Sequence, residues 1–252
     1  MDDETLSLLL DLHLSGARQG PGEDAATLRA LALSGLEDRP GLRLADIGCG
    51  TGAATRALAR ALPSARITAV DVLAPFLERL AEEAEAEGLA DRIATLEASM
   101  DALPFEDAAF DAIWAEGAIY NMGFAAGLAA WRRFLKPRGV LAVSEITWLT
   151  PDRPEALTRH WDAEYPEIDL ASAKIAALEA AGYVLLGYFP LARRAWMEEY
   201  YGPLRARLPG FLARHPGESA AALAAAEEAE IALYEAHVDD VGYGFYVARR
   251  AD

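Results

Sequence analysis

The chain of 252 residues is short of several things. It has one cysteine, Cys49, and two lysines, Lys136 and Lys174. A single thiol cannot close an intrachain disulfide, and nothing in the composition points to an oxidising compartment. The scarcity of lysine against a plentiful arginine reads as a composition bias without chemical meaning. Positive charge is also scarce. Forty acidic side chains face 23 basic ones, for a net charge of −17. That field repels a phosphate backbone, so sequence-independent nucleic-acid binding is excluded as an expectation. No apolar run is long enough to cross a bilayer. The opening MDDETLSLLLDLHL is acidic where a secretory signal is basic, and it lacks a small-residue cleavage site. The expected location is the cytoplasm, with no membrane partner.

What is present is a folding composition, 53% apolar. Residues 1–36 read as two helices separated by SGARQGPG, whose Gly-Pro-Gly cannot continue a helix. From residue 42 short β-rich runs alternate with helical ones: LRLADI, ATRALARAL, RITAVD, PFLERLAEEAEAEG, IATLEAS, FDAIWAEG, GLAAWRRFL, GVLAVSEITW. Several of the β-rich runs are apolar without alternation, as strands covered on both faces are. The alternation predicts βαβ crossovers and a parallel sheet. Pro75 suits a helix start, and Lys136-Pro137-Arg138-Gly139 is expected to end a helix and turn into the next strand. Beyond Trp148 the pattern loosens into a proline-rich segment with one short helix. A helix near 170–181, the strand YVLLGYF, a helical excursion over about 192–237 and a last strand, VGYGFYVARR, follow. No linker divides the chain.

The densest motif is LADIGCGTG, Leu44–Gly52, at a strand-to-helix turn. Gly48, Gly50 and Gly52 remove side chains, so a ligand can touch backbone, and the helix start behind them offers free N–H groups to an anion. Gly48, Gly50 and Ala53 also match the dinucleotide pattern G-x-G-x-x-G/A, so the glycines alone leave a nicotinamide dinucleotide open. Asp46 narrows the choice. A carboxylate beside the glycines sits badly against a pyrophosphate and suits a ligand bearing ammonium or sulfonium charge. Asp71 ends the next strand, on the side where open α/β sheets bind ligands, and its carboxylate can accept both hydroxyls of a ribose. It can equally cap the helix that follows. Val72, Leu73 and Phe76 come next and can pack on a purine. Asp101 follows the third strand, beside Ser99 and Met100. Its carboxylate can accept an exocyclic amine, with Met100 as an apolar edge.

Three carboxylates at the ends of three successive strands form a more specific pattern than any one of them. It resembles the class I S-adenosylmethionine-dependent methyltransferase family over roughly residues 42–150, with DIGCGTG, Asp71, Asp101, FDAIWAEGAIY and RFLKPRGVLAVSE carrying the likeness. The resemblance is to the small-molecule branch, similar to ubiquinone/menaquinone-biosynthesis enzymes. Within it the chain is similar to bacterial methyltransferases with RQGPG, SEGAIYN-like and SE-x-x-W-like segments, here Arg18–Gly22, Ala115–Asn121 and Ser144–Trp148. It implies a Rossmann-like doubly wound α/β sheet of seven strands in the order 3-2-1-4-5-7-6, mostly parallel with the last strand antiparallel. It also implies S-adenosyl-L-methionine as cofactor and S-adenosyl-L-homocysteine as product. The expected organisation is one domain: a helical lid over 1–36, a cofactor-binding core over 42–150, a substrate cap with strand six over 151–240, and the last strand over 241–250. Under this reading Asp46, Gly48, Cys49, Gly50, Gly52, Asp71, Val72, Leu73, Phe76, Ser99, Met100 and Asp101 bind cofactor. Cys49 is there because it is small. Glu116 contacts the methionine ammonium or the substrate, and Arg18 is a partner for the methionine carboxylate.

Methyl transfer from a sulfonium needs alignment and dryness more than a metal, and no metal is expected. A small-molecule acceptor is expected above the ends of strands four and five. Glu145, Tyr120 and His160 are the candidate catalytic groups. His13, Gln19, Tyr120, Asn121, Trp148, Trp196 and Tyr200 are the candidate acceptor pocket. Glu145 is an expensive carboxylate at the end of an apolar strand, either used in chemistry or paired with an arginine of the cap. The single cysteine excludes arsenite methylation and the covalent route to methylated cytosine. AEGAIYNM in place of an N/D-P-P-Y/F motif argues against methylation of nucleobase amines. The alternatives are an NAD(P)-dependent oxidoreductase, for which no Tyr-x-x-x-Lys pair is apparent, and a cofactor-binding regulator without turnover. The expected state is a monomer or homodimer.

Overall fold

The computed structural model describes residues 3–252, so the first two residues of the expected 1–36 segment lie outside it. Strands β1 (Arg43–Ile47), β2 (Arg66–Asp71), β3 (Ile93–Glu97), β4 (Phe110–Glu116), β5 (Leu135–Trp148), β6 (Asp169–Leu170), β7 (Tyr183–Pro190) and β8 (Val241–Arg250) form one sheet. Its order is β3-β2-β1-β4-β5-β8-β7, with the two-residue β6 pairing β5 alongside. Leaving that short strand uncounted, the order is the expected 3-2-1-4-5-7-6. β1 through β5 run parallel, and β8 is antiparallel to both β5 and β7.

Helices α1 (Asp3–Leu14) and α2 (Asp24–Ser34) precede β1, and α3 (Ala53–Ala61), α4 (Ala74–Ala86) and α5 (Phe124–Arg132) are crossovers. α6 (Glu155–Glu164) and α7 (Ala171–Ala180) follow β5; α8 (Arg193–Trp196), a π-helical turn over Met197–Tyr201, α9 (Gly202–Arg214) and α10 (Glu218–Ala236) link β7 to β8. On one face α2 and α3 bury Leu31 and Leu58 with Trp114 and Phe245. On the other, α5 and α7 bury Leu128 and Leu178 against Ile113, Leu141 and Tyr246. The centre of the sheet is covered twice, which is why β4 is buried from Phe110 to Ala115 and β8 from Val241 to Ala248. β3, at the edge, is half exposed. α1, α9 and α10 pack on one another. Among the described residues no helix is long and apolar enough to cross a membrane.

One expectation changes. Lys136–Gly139 does not join helix to strand but bulges out within β5: Phe110 pairs Leu135, and the next pair is Ala112 with Val140. Arg138 takes the left-handed conformation there, φ 62°, and the Lys136 ammonium donates to Asp111 at 2.7 Å.

Candidate active site

Every parallel strand ends on the same side, and a cleft of about 480 Å³ opens there. Its floor is the turn after β1. Gly48 and Gly50 hold φ of 72° and 55°, open to glycine at little cost and strained for other residues. The amides of Gly48 and Cys49 both donate to the Val70 carbonyl, at 2.8 and 2.9 Å, which pins the loop to β2. A Cβ on Gly48 would lie 2.4 Å from that of Ala118. The bare backbone thus admits the neighbouring wall as well as a ligand. Gly52 is different. It does not line the cleft, and a Cβ there would stand 2.1 Å from Leu80 Cδ1. Its smallness serves the packing of α4 on the loop.

The three carboxylates converge. Asp46, Asp71 and Asp101 all line the cleft, with Met100 and Ser99 beside Asp101. Asp46 is buried, and its carboxylate accepts the Thr55 hydroxyl at 2.5 Å. Burial pushes its pKa to about 7; the Thr55 bond opposes the shift and the nearby Glu116 charge adds to it. Asp71 accepts the Gly50 amide at 2.8 Å and the Leu73 amide at 3.0 Å. The same side chain therefore braces the glycine loop and caps the turn into α4. Val72, Leu73 and Phe76 continue this wall, with Val72 well exposed at its rim. The Met100 carbonyl is held by Trp131 Nε1 at 3.0 Å. Cys49 lines the cleft too, but burial, with Asp46 and Asp71 nearby, raises its pKa well above the usual thiol value. It stays a neutral thiol.

The segment between α1 and α2 roofs this floor. Gln19 Oε1 accepts the Thr51 amide at 2.8 Å and the Thr51 hydroxyl at 3.1 Å. Gln19, expected with the acceptor, lines the cleft and is also held to the glycine loop. Arg18 reaches Glu116 at 3.3 Å and Asp24 at 2.8 Å. Glu116 also accepts the Thr27 hydroxyl at 2.6 Å and Trp114 Nε1 at 3.0 Å. It is a carboxylate built into the cleft wall.

The candidate acceptor residues divide. Tyr120 and Asn121 line the cleft. His13, Tyr200, Trp196, Trp148 and His160 do not line it. The His13 ring stacks on Tyr200 at 6.4 Å and its Nε2 meets Glu227 at 3.5 Å. Trp196 and Trp148 are buried in the core, Trp196 against Tyr234 at 4.3 Å and Trp148 beneath the Arg153 guanidinium at 5.4 Å. His160 sits edge-on to Trp161 at 4.9 Å.

Glu145 is fully buried, and its partner is not a cap arginine but Lys174 on α7, at 3.0 Å. Burial raises its pKa against the pull of Lys174. The lysine also points to the Tyr165 hydroxyl at 3.4 Å and stands 4.7 Å over the Phe124 ring. Among the described residues Glu145 Oε2 has no hydrogen-bond partner. Sequence reasoning missed Lys174, Tyr165, Thr55 and Thr27. A lysine inside the apolar run ASAKIAALEA was the one signal on offer. Among the described residues no group of three or more His, Cys, Asp or Glu could hold a metal.

Residues 44–139 match the family model described as a methyltransferase domain. A 114-residue stretch is 40% identical to the ubiquinone/menaquinone biosynthesis C-methyltransferase of Paracoccus denitrificans, covering 44% of this chain and 45% of that protein. The crystal structure of the 4+2 cyclase SpnF superposes with a TM-score of 0.77 and 28% identity, over 99% of this chain and 93% of that one. A methyltransferase from Geobacter sulfurreducens, solved with S-adenosyl-L-homocysteine, superposes at 0.83 with 20% identity over 98% of each chain, which is a likeness of fold. The chain spans 30% and 23% of the length of the first two curated relatives it matches.

Proposed function

We propose that residues 44–139, which match a methyltransferase-domain model, form a class I S-adenosylmethionine-dependent methyltransferase domain, and that the chain methylates a small-molecule acceptor. The observation that carries this is the convergence of Asp46, Asp71 and Asp101 with the glycine turn on one cleft. The donor set fits the cofactor part by part. Asp71 faces the ribose hydroxyls, and Asp101 with Met100 takes the adenine. Asp46 and Glu116 supply negative charge for the ammonium and sulfonium, and Arg18 takes the carboxylate. A pyrophosphate has no comparable fit, because the buried Asp46 and the wall carboxylate Glu116 would both repel it.

The cofactor, when bound, supplies an electrophilic methyl group. What the chain contributes is placement: reacting atoms held in line are worth up to roughly 7–11 kcal/mol of barrier. Residues 42–150, with Arg18 and Gln19 of the roof, hold the cofactor. Tyr120 is the cleft residue nearest in kind to a catalytic group. Glu145, buried on Lys174, and His160 do not line the cleft.

The likeness to a cyclase favours a second reading, in which the cofactor is bound and no methyl moves. One experiment separates the two. Calorimetry with S-adenosyl-L-homocysteine should show binding, weakened about 10–100-fold in Asp71→Ala, as expected for losing charge-assisted hydrogen bonds. Release of S-adenosyl-L-homocysteine over a broad acceptor panel then reports methyl transfer. Absence of binding removes both readings; binding without release on any acceptor leaves the second.

A further inference from the structure

We propose that Thr27 and Asp24, neither of which lines the cleft, set its preference for a ligand that carries an amino-acid group, by positioning Glu116 and Arg18. The inference rests on the methyltransferase reading and names specificity residues for that same site.

The strand order gives the cleft a direction. Asp101, Asp71, Asp46 and Glu116 stand at or beyond the ends of β3, β2, β1 and β4, which lie side by side in that order. A ligand with its adenine at Asp101 and its ribose at Asp71 therefore carries its remaining part over β1 and β4. The charged groups of the lining at that end are Asp46, Glu116 and Arg18. An amino-acid group brings an ammonium for the carboxylates and a carboxylate for the guanidinium. A nucleoside without that group leaves all three unused.

The first turn of α2 builds the Arg18–Glu116 pair from behind. Glu116 Oε1 accepts the Thr27 hydroxyl at 2.6 Å and Trp114 Nε1 at 3.0 Å. Two donors on one oxygen fix the carboxylate and leave Oε2 to Arg18, at 3.3 Å. That is longer than the roughly 2.7–2.9 Å of a charge-assisted bond, so neither charge is saturated by the other. Asp24 holds Nη2 of the same guanidinium at 2.8 Å. Asp24 and Thr27 are three residues apart, on neighbouring positions of one helix face. Gly22 completes the arrangement: a Cβ there would lie 2.9 Å from Arg18 Nη1 and 3.4 Å from Glu116 Oε2. Thr27 is fully buried, so its hydroxyl acts on a ligand only through Glu116.

A hydroxyl has one proton to give. That of Thr27 goes to Glu116 at 2.6 Å rather than to the Glu23 carbonyl at 3.4 Å. Thr27→Val keeps the shape of the side chain and removes the proton. Trp114 alone then holds Oε1, and the contact of the carboxylate with a ligand ammonium weakens, because a binding group is only as well placed as its supports. The adenine and ribose end is braced by other residues: Asp71 by the Gly50 and Leu73 amides, and the Met100 carbonyl by Trp131.

The test is calorimetry on the full chain with two ligands, S-adenosyl-L-homocysteine and methylthioadenosine, the same nucleoside thioether without the amino-acid group. The wild-type chain should bind the first at least about tenfold tighter, the size of one hydrogen bond to a charged group. Thr27→Val should weaken S-adenosyl-L-homocysteine by about 3–10-fold and leave methylthioadenosine within about twofold, which shows that the variant is folded. Thr27→Ser, which keeps the hydroxyl, should restore S-adenosyl-L-homocysteine to within about twofold of wild type. Asp24→Asn changes an exposed side chain and carries the test even where the core variant does not fold: S-adenosyl-L-homocysteine alone should weaken, by about 2–5-fold. Equal losses for the two ligands, no loss for either, or equal affinities in the wild-type chain overturn the proposal. Failure of the wild-type chain to bind either ligand overturns the methyltransferase reading instead.

Discussion

Gln19 and Thr51 are joined twice: one carbonyl oxygen accepts the Thr51 amide at 2.8 Å and its hydroxyl at 3.1 Å. The same side chain donates to the carbonyls of His13 and Gly16 at 3.2 and 3.1 Å. It clamps the segment between α1 and α2 onto the turn that leads into α3. Net, each such bond contributes about 1 kcal/mol. Gln19→Ala should speed dissociation of S-adenosyl-L-homocysteine by roughly 5–30-fold, the equivalent of one to two bonds, with association little changed. Stopped-flow displacement measures both rates. An unaltered dissociation rate would mean that this segment does not cover the cofactor.

Gly52 offers a cleaner separation of packing from binding. At φ 81° it lies in the left-handed region, and an added Cβ would meet Leu80 at 2.1 Å. Gly52→Ala should cost about 2–4 kcal/mol, from backbone strain together with overpacking. Urea denaturation reads the loss. The fraction still folded should bind S-adenosyl-L-homocysteine with near-normal affinity, because Gly52 does not face the cleft. A large affinity loss without a stability loss would return Gly52 to the ligand.

The contrast between Gly48 and Gly52 shows what the sequence made legible. Strands buried on both faces, the glycine turn and the Asp46–Asp71–Asp101 series each leave a local signature, and all lie where the pattern put them. Partners distant along the chain leave none. Glu116 is held by Thr27, Arg18 and Trp114, and Glu145 by Lys174, through a fold that periodicity does not specify in detail. Trp148 and Trp196 are the sequence's candidates for the acceptor pocket. They are in the core, for the physical reason that indoles bury the most apolar surface. Lys136–Gly139 has the composition of a turn, and a bulge inside a strand uses the same residues.

Asp46 gives binding a pH signature. Its folded pKa of about 7 stands above the ordinary 3.8, chiefly through burial. The sign follows from the raised value: the neutral acid is favoured in the fold, so this group's contribution to stability is full below 3.8 and lost as pH rises through about 7. A cationic ligand beside it favours the carboxylate and pulls the pKa down. Affinity for S-adenosyl-L-homocysteine, which carries an ammonium, should therefore rise as pH goes from 6 to 8, by about tenfold for each unit of pKa displacement. In Asp46→Asn the affinity should be lower and flat over that window. Calorimetry in buffers of different ionisation enthalpy would also record proton release on binding at neutral pH. A wild-type profile as flat as the variant's would remove Asp46 from contact with the ligand's charge.

The Lys174–Glu145 pair predicts an asymmetry. Glu145 is fully buried and Lys174 nearly so, 3.0 Å apart. Removing the cation strands a charge in the core, which costs about 3–5 kcal/mol, whereas replacing both partners by neutral groups is often close to neutral. Lys174→Met should thus be strongly destabilised, and adding Glu145→Gln should restore much of the loss. Without Lys174, the largest influence lowering the Glu145 pKa is gone, so the pKa moves further above 4.5. The stability lost on ionisation is fully present below 4.5 and disappears as pH rises through the raised value. The Lys174→Met deficit should accordingly be smaller at pH 5 than at pH 8. Urea midpoints at the two pH values test it. A deficit independent of pH would assign the loss to the lysine's contacts with the Phe124 and Tyr165 rings, not to the stranded carboxylate.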